Sequence, residues 1–499
     1  MLLLLLALAS VPGSLIPQQG VDAQKVAGYR LAHPQLSPLL DRLGMFSVYS
    51  SVWFSAIYIL LMVSLVGCIV PRVAVYYRAV RARPPRTPAN LGRLPVSRTF
   101  ETDLTPEEVL QAGRRALPSR RYRVDLAEGE LRAETGYLRE MGNLVFHICL
   151  LVVIVGVAIG GLYGYRGAVI VTEGVGFSNT VTQYDEFTAG SQFNRDALPQ
   201  FSLALSDMQA KFQMTGPQRG APRKFEAIGR YSTPGSAPRR FDITVNHPLK
   251  IGSTNVFLVG QGYSPVVRIR DGRGKVAFEG AVPFLPSDGS YTSSGVIKAP
   301  DALPTQLGFQ GFFLPTAVSA NSGPPVSAFP AAANPLLGLF AYYGDLSLDN
   351  GKSQSVYILD KTRLNQITKA DGSALRLTLS PGQIADLPGK RGSIEFVGLR
   401  QFARLQIAST PAAVMPLAGT SLGVLGLIVS LMIRPRRLWI KAHQHDGRTV
   451  VEVAGLSRVA RGNMEAEVDG VVDSLRQSTG QTASRTAERI DAYDAGHTK

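Results

Sequence analysis

The sequence holds only two cysteines, Cys68 and Cys149, each inside an apolar stretch. No Cys-x-x-Cys occurs, so the chain carries neither a thioredoxin-like redox pair nor a c-type haem attachment site of its own. Neither cysteine falls in the region expected to be exported, so no disulfide framework is implied there. Tryptophan is equally scarce, with Trp53 and Trp439 alone. There is no nucleophile elbow, P-loop, His-Glu-x-x-His or dinucleotide fingerprint. Gly260-Gln261-Gly262 follows a strand-like run and opens no helix, which reads as a turn and not as a phosphate cradle. The net charge of +15 comes without a nucleic-acid motif or a basic patch interleaved with aromatics, so no nucleic-acid partner is expected.

What is present is a set of long apolar runs bounded by arginines. The 499 residues are too many for one ordinary domain. Met1 to Ile16 opens directly with leucines. No basic n-region precedes it, and Pro12-Gly13-Ser14 breaks the run. It is read as the outer part of a first membrane helix whose cytoplasmic beginning is absent, the rival being a cleaved signal. Residues 17–51 form an external loop with a short surface helix near Ser37 to Leu43. A second span covers 52–70 and ends at Pro71-Arg72, with Trp53 and Tyr49 suited to the interface. Arg78, Arg81, Arg83 and Arg86 follow without an intervening acid, which places 71–142 in the cytoplasm.

That cytoplasmic segment reads as a small α/β unit: a strand at Val96 to Phe100, a helix capped by Thr105 with Pro106 at its first position, and a hairpin turning at Glu128-Gly129-Glu130. The third span, 143–164, runs outward and is glycine-rich at its far end, with Gly156, Gly160, Gly161 and Gly164. Residues 165–411 hold no membrane-length run. Short strand-like runs separated by turn signals predict an all-β, sandwich or barrel-like domain outside the cytoplasm. The runs Val356 to Leu359 and Phe402 to Ile407 are among them, the latter with Ala403, Leu405 and Ile407 on one face. Asn321 to Pro335 reads as a long loop. A fourth span covers 412–433 and stops at Arg434-Pro435-Arg436-Arg437. Residues 434–499 form a cytoplasmic tail, with a hairpin around Asp446-Gly447 and an amphipathic helix from Met464 to Leu475. This tail is expected to pack on the first cytoplasmic unit, and from Arg476 onward to be disordered. The fold class is therefore a membrane protein of four transmembrane helices, a large extracytoplasmic all-β domain and a small cytoplasmic α/β unit.

One titratable ring lies inside an apolar span: His147, about four residues or ~6 Å from the inner end of the third. Ionisable groups at such depth are functional candidates. The bland role is a hydrogen bond to a neighbouring helix; the functional one is a haem axial ligand, since neutral imidazole binds iron well. Arg139 sits just below, placed either to meet a haem propionate or to serve as a positive-inside flank. Cys149 points away from His147 and reads as packing. Cys68 lies at a similar depth in the second span, as packing or as a thiolate ligand. His247, in Asn246-His247-Pro248, reads as a turn residue, with an external haem or metal role as the alternative. His33, His443, His445 and His497 lack a context that assigns them.

Several runs together resemble the ResB (CcsB-type) family of cytochrome c biogenesis proteins. They are Arg139-Glu140-Met141-Gly142-Asn143-Leu144-Val145-Phe146-His147, Gly160-Gly161-Leu162-Tyr163-Gly164-Tyr165-Arg166-Gly167 and Glu173-Gly174. Pro12 to Gln18, Ser51 to Phe54, Asn246 to Leu249, Gly262 to Pro265 and Arg436 to Trp439 add to them, in the family's order along nearly the whole chain. The resemblance implies a subunit of the two-component system II cytochrome c synthetase in a bacterial cell membrane. Its partner there is a ResC (CcsA-type) membrane subunit with a tryptophan-rich haem motif. The pair moves reduced haem outward and presents it to apocytochrome c for thioether attachment. The family's membrane histidine falls on His147, holding haem b transiently. With two tryptophans and no Cys-x-x-Cys, the tryptophan-rich site belongs to the partner and thiol reduction to a separate thioredoxin-like reductant. The chain departs from the family where basic residues usually precede the first span. On this reading the subunit is an accessory to a haem lyase and not itself the catalyst. The alternatives are a haem-free membrane scaffold whose β domain docks partner proteins and, ranked last, a b-type electron carrier, which would pair its intramembrane ligands within one chain.

Overall fold

A computed structural model describes residues 1–21, 23–118, 122–319, 323–348, 356–457 and 464–478. His497 and the tail beyond Ser478 lie outside the described residues, as do the first two positions of the expected 321–335 loop. The chain divides into two compact units: residues 1–157 with 413–499, and residues 158–412.

The first unit contains helices α1 (Leu2–Leu15), α2 (Ala23–Ala32), α3 (Ser37–Arg42), α4 (Val52–Arg81), α5 (Pro106–Ala116), α6 (Arg139–Tyr163, whose last turns belong to the second unit), α7 (Val414–Met432) and α8 (Met464–Ser478). Among the described residues, three helical segments are long and apolar enough to cross a membrane: Ser37–Arg81, Arg139–Tyr163 and Val414–Met432. The leading helix α1 is apolar but has 14 residues, about 21 Å at 1.5 Å per residue. It runs unbroken through Pro12, where a break was expected. Gly13 gives it a smooth face, since a Cβ there would fall 2.8 Å from the Tyr49 ring. Buried Gln18 then fastens the following loop, accepting from the Val48 N–H at 3.0 Å and donating to the Met45 carbonyl at 2.9 Å.

The largest departure from the sequence reading is α4. It was expected to end before Pro71, yet it continues to Arg81 with Pro71 inside it. A proline removes one N–H from the ladder, and membrane helices tolerate it where neighbours resupply contacts. The helix beyond Pro71 has such support: Arg123 Nη1 donates to the carbonyls of Ala79 and Val80, at 3.3 and 3.1 Å. Helix α6 begins four residues earlier than expected, at Arg139. It is tied to α4 by Tyr58, whose hydroxyl donates to the Ile154 carbonyl at 2.7 Å. Against α7 it packs through glycines at Gly142, Gly156, Gly419, Gly423 and Gly426, where an added Cβ would meet the facing helix at 2.6–3.2 Å. Small residues at such crossings let helix backbones approach closely in lipid. Cys149 is buried against Gly419 and Gly423.

The rest of this unit is one antiparallel sheet, in the order Val96–Thr102, Arg448–Ser457, Arg436–His445, Glu130–Thr135, Arg123–Ala127. Helices α5 and α8 cover it. Thr105 caps α5 in a reciprocal box with Glu108, which satisfies two otherwise unpaired N–H groups. Leu131, Leu438, Ile440, Val451, Val453 and Val468 form the core between sheet and helices. The tail therefore supplies two of the three interior strands.

The second unit is sheet-rich. Two 18-residue strands, Thr254–Asp271 and Gly392–Ser409, pair antiparallel along their length. One end packs Val256, Leu258, Leu405 and Ile407 with a four-stranded sheet that includes Ser202–Phe212 and Pro222–Ser232. The other end packs Val267, Ile269, Ile394 and Phe396 with a six-stranded sheet that includes Gln306–Leu314 and Leu336–Gly344. Ala403, Leu405 and Ile407 share the buried face, as their alternation predicts. Gly260-Gln261-Gly262 is not a turn: it lies in mid-strand beside a bulge at Leu258/Gly260. A side chain at Gly262 would strike the Phe402 ring at 2.3 Å, so glycine there marks close packing. Val356 to Leu359 is not a strand. Its alternation comes from side chains that anchor an irregular segment, with Leu359 buried and the Tyr357 hydroxyl donating to Asp185 at 3.1 Å. Within the expected 321–335 loop, Val326–Ser327 pairs with Ala317–Val318.

Candidate functional site

His147 lies on α6, one turn above Asn143. Its Nδ1 donates to the Asn143 carbonyl at 2.8 Å. A carbonyl only accepts, so in the neutral ring the proton sits on Nδ1 and Nε2 keeps its lone pair. Such a bond from the second nitrogen is the usual way proteins orient a ligating imidazole. Among the described residues, no protein group has a hydrogen bond to Nε2.

The half-buried ring lines a cleft of about 490 Å³ between α4 and α6, a volume in the range of small-molecule and cofactor pockets. From α6 come Glu140, Asn143, Leu144 and His147, spaced three or four residues apart along one face. From α4 come Cys68, Ile69, Pro71, Arg72, Val75, Tyr76 and Ala79. Arg72, Val75, Tyr76 and Ala79 join this wall because the helix passes through Pro71. The Tyr76 hydroxyl is buried without a hydrogen-bond partner. A buried hydroxyl with no partner is costly, so this atom fits a cavity that a polar-edged ligand fills.

The structure thus brings together two of the four residues singled out in the sequence. Cys68 and His147 line the same cleft, and Cys68 is exposed within it. Arg139 lines an adjoining cavity of about 180 Å³. His247 lies in the second unit, exposed at a turn, its Nδ1 3.4 Å from the Val245 carbonyl. Arg72, Tyr76 and Glu140 were missed as site residues. The signal was their helical spacing from Cys68 and His147, hidden for the α4 residues by treating Pro71 as an end. Among the described residues, no group of three or more His, Cys, Asp or Glu side chains could hold a bare metal ion. The chemistry on offer is one oriented imidazole at the wall of an apolar cleft.

The ResB-like family model matches residues 1–469. This chain belongs to the ResB-like family. It is similar to the cytochrome c biogenesis protein CcsB of Synechococcus sp. (strain JA-2-3B'a(2-13)), 27% identical over 262 residues, 51% of this chain and 53% of that protein. It is likewise similar to CcsB of Thermosynechococcus vestitus, at 25% over 298 residues, 58% of this chain and 62% of the relative. The cytochrome c biogenesis protein Ccs1 of Phaeodactylum tricornutum matches at 25% over 254 residues, 50% and 57% of the two chains. The matched stretch spans about half to three-fifths of each relative's length. The family model takes in both units, the α4–α6 cleft with its histidine included.

Proposed function

We propose that this protein is a membrane subunit of a system II cytochrome c synthetase, one that receives haem in the α4–α6 cleft and passes it on for attachment to apocytochrome c. The observation that carries the reading is His147, with Nδ1 held by Asn143 and Nε2 left free at the wall of a cleft of about 490 Å³. Family membership and the relatives' role in cytochrome c biogenesis support the pathway. Haem, when bound, supplies the iron that an imidazole nitrogen can hold and the vinyl groups that become thioethers.

The chain's own residues do three things. Asn143 keeps the imidazole in one tautomer, Ile69, Val75 and Leu144 exclude water, and His147 holds the cargo in one orientation. Arginines after two of the apolar runs set the topology by the positive-inside rule: Arg72, Arg78, Arg81 and Arg83 follow α4's apolar part, and Arg434, Arg436 and Arg437 follow α7. The sheet with α5 and α8 then faces the cytoplasm and the sheet-rich unit lies outside, where it meets the ResC (CcsA-type) partner and the apocytochrome. A single imidazole leaves the second axial position and the thioether chemistry to that partner.

The test is His147→Ala in the chain co-purified with its membrane partner. Co-purifying haem and cytochrome c maturation are expected to be lost, and added imidazole to restore part of both. Unchanged haem content would overturn the ligand role of His147, and a wild-type complex without a Soret band would leave a haem-free scaffold as the reading.

A further inference from the structure

The cavity beside the cleft has a different chemistry. Its volume is about 180 Å³, and three arginines line it: Arg123, Arg139 and Arg437, from a strand, the first turn of α6 and a tail strand. Opposing them are two carboxylates, Glu134 and Glu140. Glu134 is already shared, accepting from Arg123 Nη2 at 2.8 Å and from Arg437 Nε at 3.2 Å. Arg139 has no side-chain partner among the described residues, so the cavity carries one guanidinium in excess. Two of the residues lining it carry a buried polar atom without a hydrogen-bond partner, Tyr76 at Oη and Arg123 at Nε, both hydrogen-bond donors. Buried donors without acceptors, beside an uncompensated positive charge, are the signature of a missing anion.

The two cavities adjoin, sharing Tyr76, Ala79 and Glu140 in their walls. The larger is mostly apolar, with an imidazole and the charged Arg72 and Glu140 in its wall; the smaller carries three guanidiniums against two carboxylates. Together they fit an amphiphile with an apolar body and an acidic end. We infer that the smaller cavity binds the anionic end of the ligand whose body occupies the cleft, with Arg139 as the principal charge and the Tyr76 hydroxyl as a further donor. Where that ligand is haem, which rests on the function proposed above, the acidic end is its carboxylates. The same chemistry would hold the phosphate of an anionic phospholipid, and the experiment separates the two.

The full chain in nanodiscs is titrated with haem and with haem dimethyl ester, which lacks the carboxylate charges, following the Soret band. Arg139→Gln removes the charge without unpairing a carboxylate, so the fold is expected to stand, and Arg139→Lys restores the charge. The inference expects haem affinity to fall about tenfold in Arg139→Gln, to recover in Arg139→Lys, and ester affinity to be the same in all three proteins. Equal haem affinity in wild type and Arg139→Gln overturns the site as one for haem carboxylates, and if His147→Ala still loses the Soret band the proposed function survives that failure. If wild type binds no haem, the proposed function fails instead. Native mass spectrometry then decides the lipid case: phosphatidylglycerol kept by wild type and lost by Arg139→Gln supports an anion site that takes phosphate, and equal retention together with equal haem affinity overturns the anion site.

Discussion

Gly142 and Gly426 face each other across the α6–α7 crossing, each where the other leaves no room for a side chain. A Cβ on Gly142 would fall 2.6 Å from the Gly426 carbonyl oxygen, and one on Gly426 would fall 2.9 Å from that of Gly142. Both obstacles are backbone, so no rotamer change relieves them. Asn143 and His147 ride on the same helix, one and five residues on. The closeness of this crossing therefore sets where the imidazole stands relative to α4.

Gly142→Ala is expected to push the two helices apart and cost about 1–3 kcal/mol, the usual penalty of overpacking. Gly67, on α4, has nothing within 4 Å of an added Cβ, so Gly67→Ala should be neutral or stabilise by up to ~1 kcal/mol from helix propensity. Thermal melts of the two purified variants check the contrast. Equal melting temperatures would show that the crossing is looser than described.

A pH effect is expected in the sheet-rich unit from Asp271. It is nearly inaccessible. Its carboxylate accepts from the N–H groups of Arg273 at 2.8 Å, Lys275 at 3.0 Å and Leu303 at 3.3 Å. Burial works to raise its pKa, but these backbone donors and the Arg273 charge outweigh burial and hold it below its ordinary 3.8. A group with a depressed folded pKa stabilises above its unfolded value and loses that contribution as pH falls through the folded one. Asp271→Asn should therefore destabilise at pH 7, with the gap to wild type shrinking below about pH 4. Hydrogen exchange of residues 271–275 and 303 at both pH values reads this out. A gap that widens on acidification would contradict it.

The legible part of this molecule was what short-range physics dictates. Thr105-Pro106 and Glu108 announced α5, Asp446-Gly447 and Glu128-Gly129 announced hairpins, and the alternation through Ala403, Leu405 and Ile407 announced a half-buried strand. His147 was legible because a lone imidazole in an apolar run is expensive. Proline and glycine misled where tertiary contacts override them. Pro12 and Pro71 were read as breaks, yet both lie inside helices, and at α4 the Arg123 bonds to the Ala79 and Val80 carbonyls secure the extension. Gly260 and Gly262 were read as a turn, when the Phe402 ring requires a bare backbone at Gly262 and a bulge adjoins Gly260. Glu134 pairs with Arg123 across the legible hairpin, but also with Arg437, 303 positions away, a separation that no local pattern reveals.

The tail makes a sharp expectation. Strand Val96–Thr102 lies at the sheet edge and, among the described residues, pairs only with Arg448–Ser457. Removing residues 436–478 would leave Val96–Thr102 without a ladder and expose Leu131 and Val109, now 0% and 2% accessible. Exchange mass spectrometry of the truncated chain should show 96–102 unprotected and 130–135 strongly weakened. Retained protection of both would mean the first segment folds without the tail.

Cys68 offers a way to watch the cleft without mutating His147. It is exposed along the wall shared with the imidazole, whereas Cys149 is buried against α7 glycines. Maleimide reactivity follows thiolate access, so a membrane-permeant maleimide should modify Cys68 much faster than Cys149. If the cleft receives haem as proposed, adding haem should slow Cys68 labelling several-fold, and His147→Ala should abolish that protection. Cys68→Ala separates the two roles open to this thiol. A packing residue leaves the haem spectrum as it was, because the imidazole still holds the iron. A thiolate ligand would shift the Soret band on removal, since sulfur donates more charge to iron than nitrogen does. The first outcome is expected, because the oriented nitrogen is on His147. Labelling that ignores haem altogether would place the cargo somewhere other than between α4 and α6.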